Sequence, residues 1–168
     1  MKKSGKIIYP EFINDISYYL GMMRSMYNHS YFGIDKRYYR DENHYKVDEI
    51  GIKGELIFSY YLHTINIKHT LSKVINSKPI IDCDIYLNEY KKKIEIKTIK
   101  NDGQHFMVMI QRHNKKIIDY YCFIKLNDDN TADYSLVSYN DVASWQIKNF
   151  RYGDSYYKRI NELINTNE

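Results

Sequence analysis

The stretch "DCDIYLNEYKKKIEIKTIK", residues 82–100, alternates apolar and polar side chains around a short polar centre, and this alternation leaves little freedom in how it can fold. Read as strand, turn and strand, it places Ile85, Leu87, Ile94 and Ile96 on one side and Asp82, Asp84, Glu95 and Lys97 on the other. Strand side chains point to alternate faces, so a slip of one residue would spread the apolar set over both. The four apolar residues stay together in a register that sets Asp84 opposite Glu95, and this centres the connection between Glu89 and Tyr90, inside "NEYKK". Burial of one face therefore gathers carboxylates and an ammonium on the other. A hairpin with a merely solvated outer face has the same alternation, so the pattern alone leaves both readings open.

Glu95 and Lys97 lie two apart on a strand and share a face, with Cα atoms about 6.7 Å apart. A hard divalent cation such as Mg2+ is commonly held by one or two carboxylates and keeps several waters. Asp84 and Glu95 are residues of that type. A lysine beside them can orient or help deprotonate a water and offset charge building on a phosphate, while the ion polarises the scissile group. The pattern thus points to metal-assisted phosphodiester hydrolysis with Mg2+ or Mn2+. Asp82, one pleat earlier on the same face, competes with Asp84 for the ligand role.

The rest of the chain reads as one domain of mixed α/β (α+β) character. Its 168 residues suffice for one core, and a formal net charge of +4 favours an anionic partner only mildly. Pro10 precedes a helix over 10–27, with Phe12, Ile13, Ile16, Leu20, Met23 and Tyr27 at helical spacing. Residues 31–45, rich in tyrosine, read as a loop whose Lys36, Arg37 and Arg40 contact nucleic acid if the neighbouring rings stack bases; the alternative is a rim of the core or a dimer contact. A second, mostly buried helix is predicted over 47–62, its regular part starting near Glu55 because Gly51 and Gly54 weaken the first turns. Glu55, Ser59 and His63 form its polar stripe, facing either water or a site. Residues 65–75 supply a strand, 104–111 a strand or crossover, 119–126 a strand covered on both faces, and 132–139 its neighbour. Asn140 then caps a helix through Phe150, and Asp154 or Ser155 starts a last helix carrying Tyr157, Ile160, Leu163 and Ile164. Cys83 and Cys122 read as small buried side chains. No apolar run approaches the roughly 20 residues of a membrane span, so a soluble, intracellular (cytoplasmic) protein without a membrane partner is expected.

The order "GIKGELIFSYYL", a hairpin aspartate, "IEIKT" and the apolar "DYYCFIKL" resembles the PD-(D/E)XK nuclease superfamily over residues 47–126. The resemblance implies a restriction-endonuclease-like central mixed β-sheet flanked by helices. It divides the chain into an N-terminal helix and Tyr-rich loop (1–45), a catalytic core (47–126) and a C-terminal strand with helices (131–168). It makes Asp84 the metal-binding aspartate, Glu95 and Lys97 the (D/E)xK pair, and Glu55 a third metal-binding acid from the preceding helix, with Gln111 similar to a downstream polar residue of some members. The partner implied is nucleic acid, DNA above all, in a chain that can pair as a homodimer. Lys115 and Lys116, and the lysines at 91–93, contact phosphate backbone on this reading, or sit on solvated turns. Three acids near one lysine repel, by about 4 kcal/mol per pair at 4 Å and an effective dielectric near 20, and call for added positive charge. Two other classes stay open: a catalytically inactive nuclease-fold binding module, and a structural or inhibitory interaction protein.

Overall fold

The computed structural model describes residues 2–32, 44–72, 83–150 and 153–164, and of these the side chains of 28–32 and of His44 are left out. Asp82, Lys36, Arg37 and Arg40, together with most of the Tyr-rich segment, lie outside the described residues. Among the described residues, fourteen elements, a short 3-10 turn included, follow one another. Strand β1 (Ser4–Ile8) leads into the long helices α1 (Phe12–Phe32) and α2 (His44–Thr64). Strands β2 (His69–Leu71), β3 (Ile85–Leu87), β4 (Lys92–Ile99) and β5 (His105–Met109) come next, then the short helix α3 (Ile110–His113). Strands β6 (Tyr120–Leu126) and β7 (Thr131–Ser138), helix α4 (Tyr139–Ala143), and strands β8 (Gln146–Phe150) and β9 (Gly153–Arg159) complete the set before a 3-10 turn at Ile160–Glu162.

Two sheets result. The larger has six strands in the order β1-β7-β6-β4-β3-β2, and the smaller three in the order β5-β9-β8. In the large sheet β4 and β6 run parallel and the other neighbours antiparallel. This is a mixed sheet flanked by helices, the α/β class read from the sequence. The hairpin has the register demanded by its apolar set, with Ile85 opposite Ile94 and Leu87 opposite Lys92. Ile85, Leu87, Ile94 and Ile96 are buried against Ile57, Phe58 and Leu62 of α2 in one core.

Strand β6 is covered on both faces, as its continuous apolar run predicts. Cys122, Ile124 and Leu126 join the core under α2. Tyr121 and Phe123 face the opposite way, into a second core with Phe106, Val108, Trp145 and Ile160. A parallel pair requires a crossover between its strands. Here the crossover from β4 to β6 carries β5, and the C-terminal hairpin β8–β9 pairs with it to build the small sheet. Phe106 from that sheet meets Phe123 with ring centroids 4.9 Å apart.

The structure departs from the sequence reading at several points. The chain from 153 forms β9 rather than an amphipathic helix: as the middle strand of the small sheet it is paired on both sides, by β5 and β8, which supplies the hydrogen bonds a helix would have made locally. The helix before it is capped by Ser138, whose hydroxyl accepts from the Asp141 amide at 3.1 Å, and it ends at Ala143 before Trp145 turns into the core and β8 begins. Residues 4–8, not predicted as structured, pair with β7. On α1 the buried side is the small-residue stripe Ser17, Gly21 and Ser25, following Ile13, rather than the bulky apolar stripe. The two long helices also extend into the predicted 31–45 loop at both ends.

The glycines explain why α2 is regular from His44 onward. A Cβ on Gly54 would stand 1.9 Å from Thr98 Oγ1 of β4, and one on Gly21 would stand 2.7 Å from the Glu49 Cα. These two residues cost helix propensity but permit α1 on α2, and α2 on the sheet, to approach closely. Gly54→Ala is therefore expected to destabilise the protein by about 1–3 kcal/mol. Pairing it with Thr98→Ala should recover at least half of that loss, whereas Gly51→Ala, which meets only Arg24 Nη1 at 3.9 Å, should be neutral or slightly stabilising. Chemical denaturation of the four variants checks the order; an unaffected Gly54→Ala refutes the close-approach account.

Candidate functional site

Strand β3 parts from β4 just before Ile85, and Asp84 stands at the parting. Its backbone amide donates to the Ile94 carbonyl at 3.1 Å and its carbonyl accepts from the Ser72 amide at 2.8 Å. Its carboxylate then continues the ladder in place of a main-chain acceptor, taking the Ile96 amide on Oδ2 at 2.7 Å. The side chain is thus fixed at the open end of the hairpin, within electrostatic reach of acids from two other elements. Burial, then the charges of Glu95 and Glu55, push the Asp84 carboxyl up to about 7, against the opposing pull of Lys97 and the Ile96 amide.

Glu95 lies on β4, only 4% exposed, on the face away from α2. Lys97, two residues on, donates to its Oε1 at 2.7 Å, and Lys116, in the turn after α3, forms an ion pair with Oε2. Burial alone would raise the Glu95 carboxyl, but the two ammonium groups hold it below its ordinary value. Glu55 follows Gly54 on α2, so the close approach at Thr98 is what carries it to the site. It is buried, and Arg24 of α1 grips both of its oxygens, Nη1 to Oε1 and Nη2 to Oε2, each at 3.0 Å.

Glu95 and Glu55 therefore lie near enough to Asp84 to act on its charge, and each of the three has its own cation or amide. Arg24, which the sequence reading did not single out, supplies one compensating charge, and Lys116, read there as a phosphate contact, supplies another. In the sequence Arg24 is one polar residue among several on a helix, and only the packing of α1 against α2 reveals its partner. The remaining members of the α2 stripe diverge: Ser59 shares a 2.7 Å hydrogen bond with His69 Nε2, and His63 is exposed. Lys115 and Gln111 are exposed, and Lys92 is drawn to Asp119 at 2.7 Å, where the Lys93 amide also donates. Cys83 and Cys122 are buried free thiols, and burial pushes Cys83 up to about 11.

Glu95 and Lys97 open into a cleft of about 280 Å³ between β4 and the small sheet, walled by Arg112, Lys116, Tyr121 and Phe150 among others. Three of its side chains are cationic. Tyr121 is fixed at the back by a 3.0 Å hydrogen bond between its hydroxyl and His113 Nδ1.

Among the described residues no three His, Cys, Asp or Glu side chains converge as a metal-binding group. A hard divalent ion needs only one or two carboxylates, however. Asp84 and Glu95 are two such carboxylates, close enough for the charge of Glu95 to raise the Asp84 carboxyl, after burial as the larger cause. Glu55 and Glu95 both have their two oxygens on cations, Glu55 on Arg24 and Glu95 on Lys97 and Lys116; Glu55, which the sequence reading counted as a third metal ligand, does not converge with the other two as a metal-binding group.

Breaking a buried ion pair from one side leaves an uncompensated charge, at a cost of about 3–5 kcal/mol. Arg24→Met is expected to destabilise by that order, and Arg24→Met with Glu55→Met to regain most of it. Urea denaturation of the single and double variants checks this; a single variant as stable as wild type would show the pair to be incidental.

Compared with known proteins, the chain matches no protein-family model and no curated protein sequence. No helix among the described residues is long and apolar enough to cross a membrane.

Proposed function

We propose that the protein is a metal-dependent nuclease that hydrolyses phosphodiester bonds in DNA, with Asp84, Glu95 and Lys97 at its centre. One observation carries the reading: a buried carboxylate and a lysine two residues apart on β4 open into a cleft with cationic walls, beside a second carboxylate at the open end of the hairpin that is raised by burial and by its acidic neighbours. Asp84 and Glu95 would hold a Mg2+ or Mn2+ ion, which when bound supplies Lewis-acid polarisation of the phosphate and an activated water. Lys97, oriented by its hydrogen bond to Glu95 Oε1, is set to offset negative charge as it develops on the phosphate. Lys116 and Arg112 line the same cleft and suit a phosphodiester backbone, with Lys115 beside them. Glu55, positioned by Arg24, adds to the negative field on Asp84.

A second reading has its own support. Arg24, Lys97 and Lys116 already pair with Glu55 and Glu95, which lowers the electrostatic demand for an ion. That arrangement suits a catalytically inactive nuclease-fold module that binds nucleic acid or protein. The two separate on one set of measurements. For the nuclease, linear or branched DNA is cleaved with Mn2+ or Mg2+, and Lys97→Ala lowers the rate by at least about 100-fold. The melting temperature rises by about 3–6 °C with the cation at roughly ten times its Kd, and Asp84→Asn loses the rise. DNA retained without cleavage, and a melting curve blind to both metals, would decide for the inactive module.

The exposed side of α1 supports the homodimer. Phe12, Ile16, Tyr19, Met23 and Met26 are each between 42% and 68% exposed and alternate at spacings of four and three, the seam of a two-helix coiled coil. Sedimentation at tens of micromolar should give a dimer that Met23→Glu converts to monomer; a monomeric wild type removes the proposal.

A further inference from the structure

The small sheet has two faces of different chemistry. Phe106, Val108 and Tyr156 point inward to the second core. The register places His105, Met107, Tyr157, Arg159, Lys148 and Phe150 together on the other face. There His105 and Phe150 stack with centroids 5.8 Å apart, and Tyr157 lies 5.0 Å from His105 and 6.2 Å from Phe150. Lys148 reaches over both Phe150 and Tyr157, its Nζ 5.6 and 5.5 Å from their centroids. None of these three rings belongs to either core cluster, and Met107, among them, is 44% exposed.

The surroundings of this patch are cationic at both ends. At the Phe150 end it runs into the cleft of Glu95 and Lys97, which Arg112 and Lys116 also line. At the His105 and Tyr157 end it borders a second hollow of about 550 Å³ whose charged lining is Lys125 and Arg159. A ligand that fits must offer flat apolar faces at the centre and repeated negative charge on either side. Unpaired nucleotides do both: each base has a π-face free to stack, and each linkage carries a phosphate. Paired bases in a duplex are stacked on each other and cannot lie on the rings.

We propose that the face formed by His105, Phe150 and Tyr157, with Lys148 and Arg159, is a stacking platform for single-stranded nucleic acid that leads the strand into the Glu95–Lys97 cleft. The inference rests on the nuclease reading for what happens in the cleft, and it narrows that reading to substrates with an unpaired segment. Binding to the platform itself requires no cleavage.

The test is fluorescence anisotropy of the full chain in EDTA, with a labelled 20-nucleotide oligo-dT and a duplex of equal length. Oligo-dT should bind at least about ten-fold more tightly than duplex, and Phe150→Ala or Tyr157→Ala should each weaken oligo-dT by about ten-fold. Because a ring variant can also disturb the sheet, the exposed Lys148→Ala and Arg159→Ala provide a separate reading. Each should lower the slope of log Kd against log salt by about one. Equal affinity for duplex, or ring and lysine variants without effect on oligo-dT, overturns the platform. So does a concentration-dependent dimer that these variants abolish, because the face would then belong to a second copy. Oligo-dT binding without metal-dependent cleavage leaves the platform standing and sinks the nuclease, while cleavage of duplex without oligo-dT binding does the reverse.

Discussion

The register of the β3–β4 hairpin is the constraint on which both the core and the site depend. Ile85 opposite Ile94 completes the apolar floor under α2, and the same pairing puts Asp84 at the mouth of the hairpin beside Glu95. The ladder cannot continue past this point with main-chain groups alone, because β3 departs. The Asp84 carboxylate accepts the Ile96 amide in their place. A polar backbone group that would otherwise be left buried without a partner is satisfied, and the carboxylate is oriented by the satisfaction. The charged cluster is thus attached to the hydrophobic core by sequence parity, and shifting one without the other is sterically closed.

Close packing then gathers the remaining charges. Gly54 lets α2 lie against Thr98, and Glu55 is the next residue, so the acid arrives wherever that contact is made. Gly21 does the same between the helices and brings Arg24 alongside Glu55. Carboxylates forced together in this way need compensation. The chain supplies it with one guanidinium and two ammonium groups, each from a different element, leaving Asp84 as the acid whose carboxyl is raised.

How much of this was legible in the sequence follows from which forces are local. The hairpin register, the two-sided burial of β6, and the pairing of β7 beside it are encoded in apolar periodicity, which needs no knowledge of distant partners. Strand β9 and the brevity of α4 are not encoded that way. Tyr157, Ile160, Leu163 and Ile164 have helical spacing, yet the crossover strand β5 offers main-chain partners that the local pattern cannot register. The same limit hides Arg24, whose role depends on a residue thirty-one positions away. On α1 the bulky stripe misleads because close packing of two helices selects small residues, and hydrophobicity alone points to the wrong face.

The lysines on Glu95 set the terms on which the cleft can exchange partners. Lys97 sits on the strand with Glu95 and cannot move far from it, while Lys116 belongs to a turn after a single helical turn, its amide bonded to the His113 carbonyl. Both are about one-third exposed, whereas Glu95 is buried, so an arriving anion meets the ammonium groups before the carboxylate. An anion that draws Lys116 outward would uncover Glu95 Oε2, and the buried carboxylate would then require another cation in its place. Under the proposed function, phosphate and metal would bind cooperatively, each relieving the charge that the other leaves exposed.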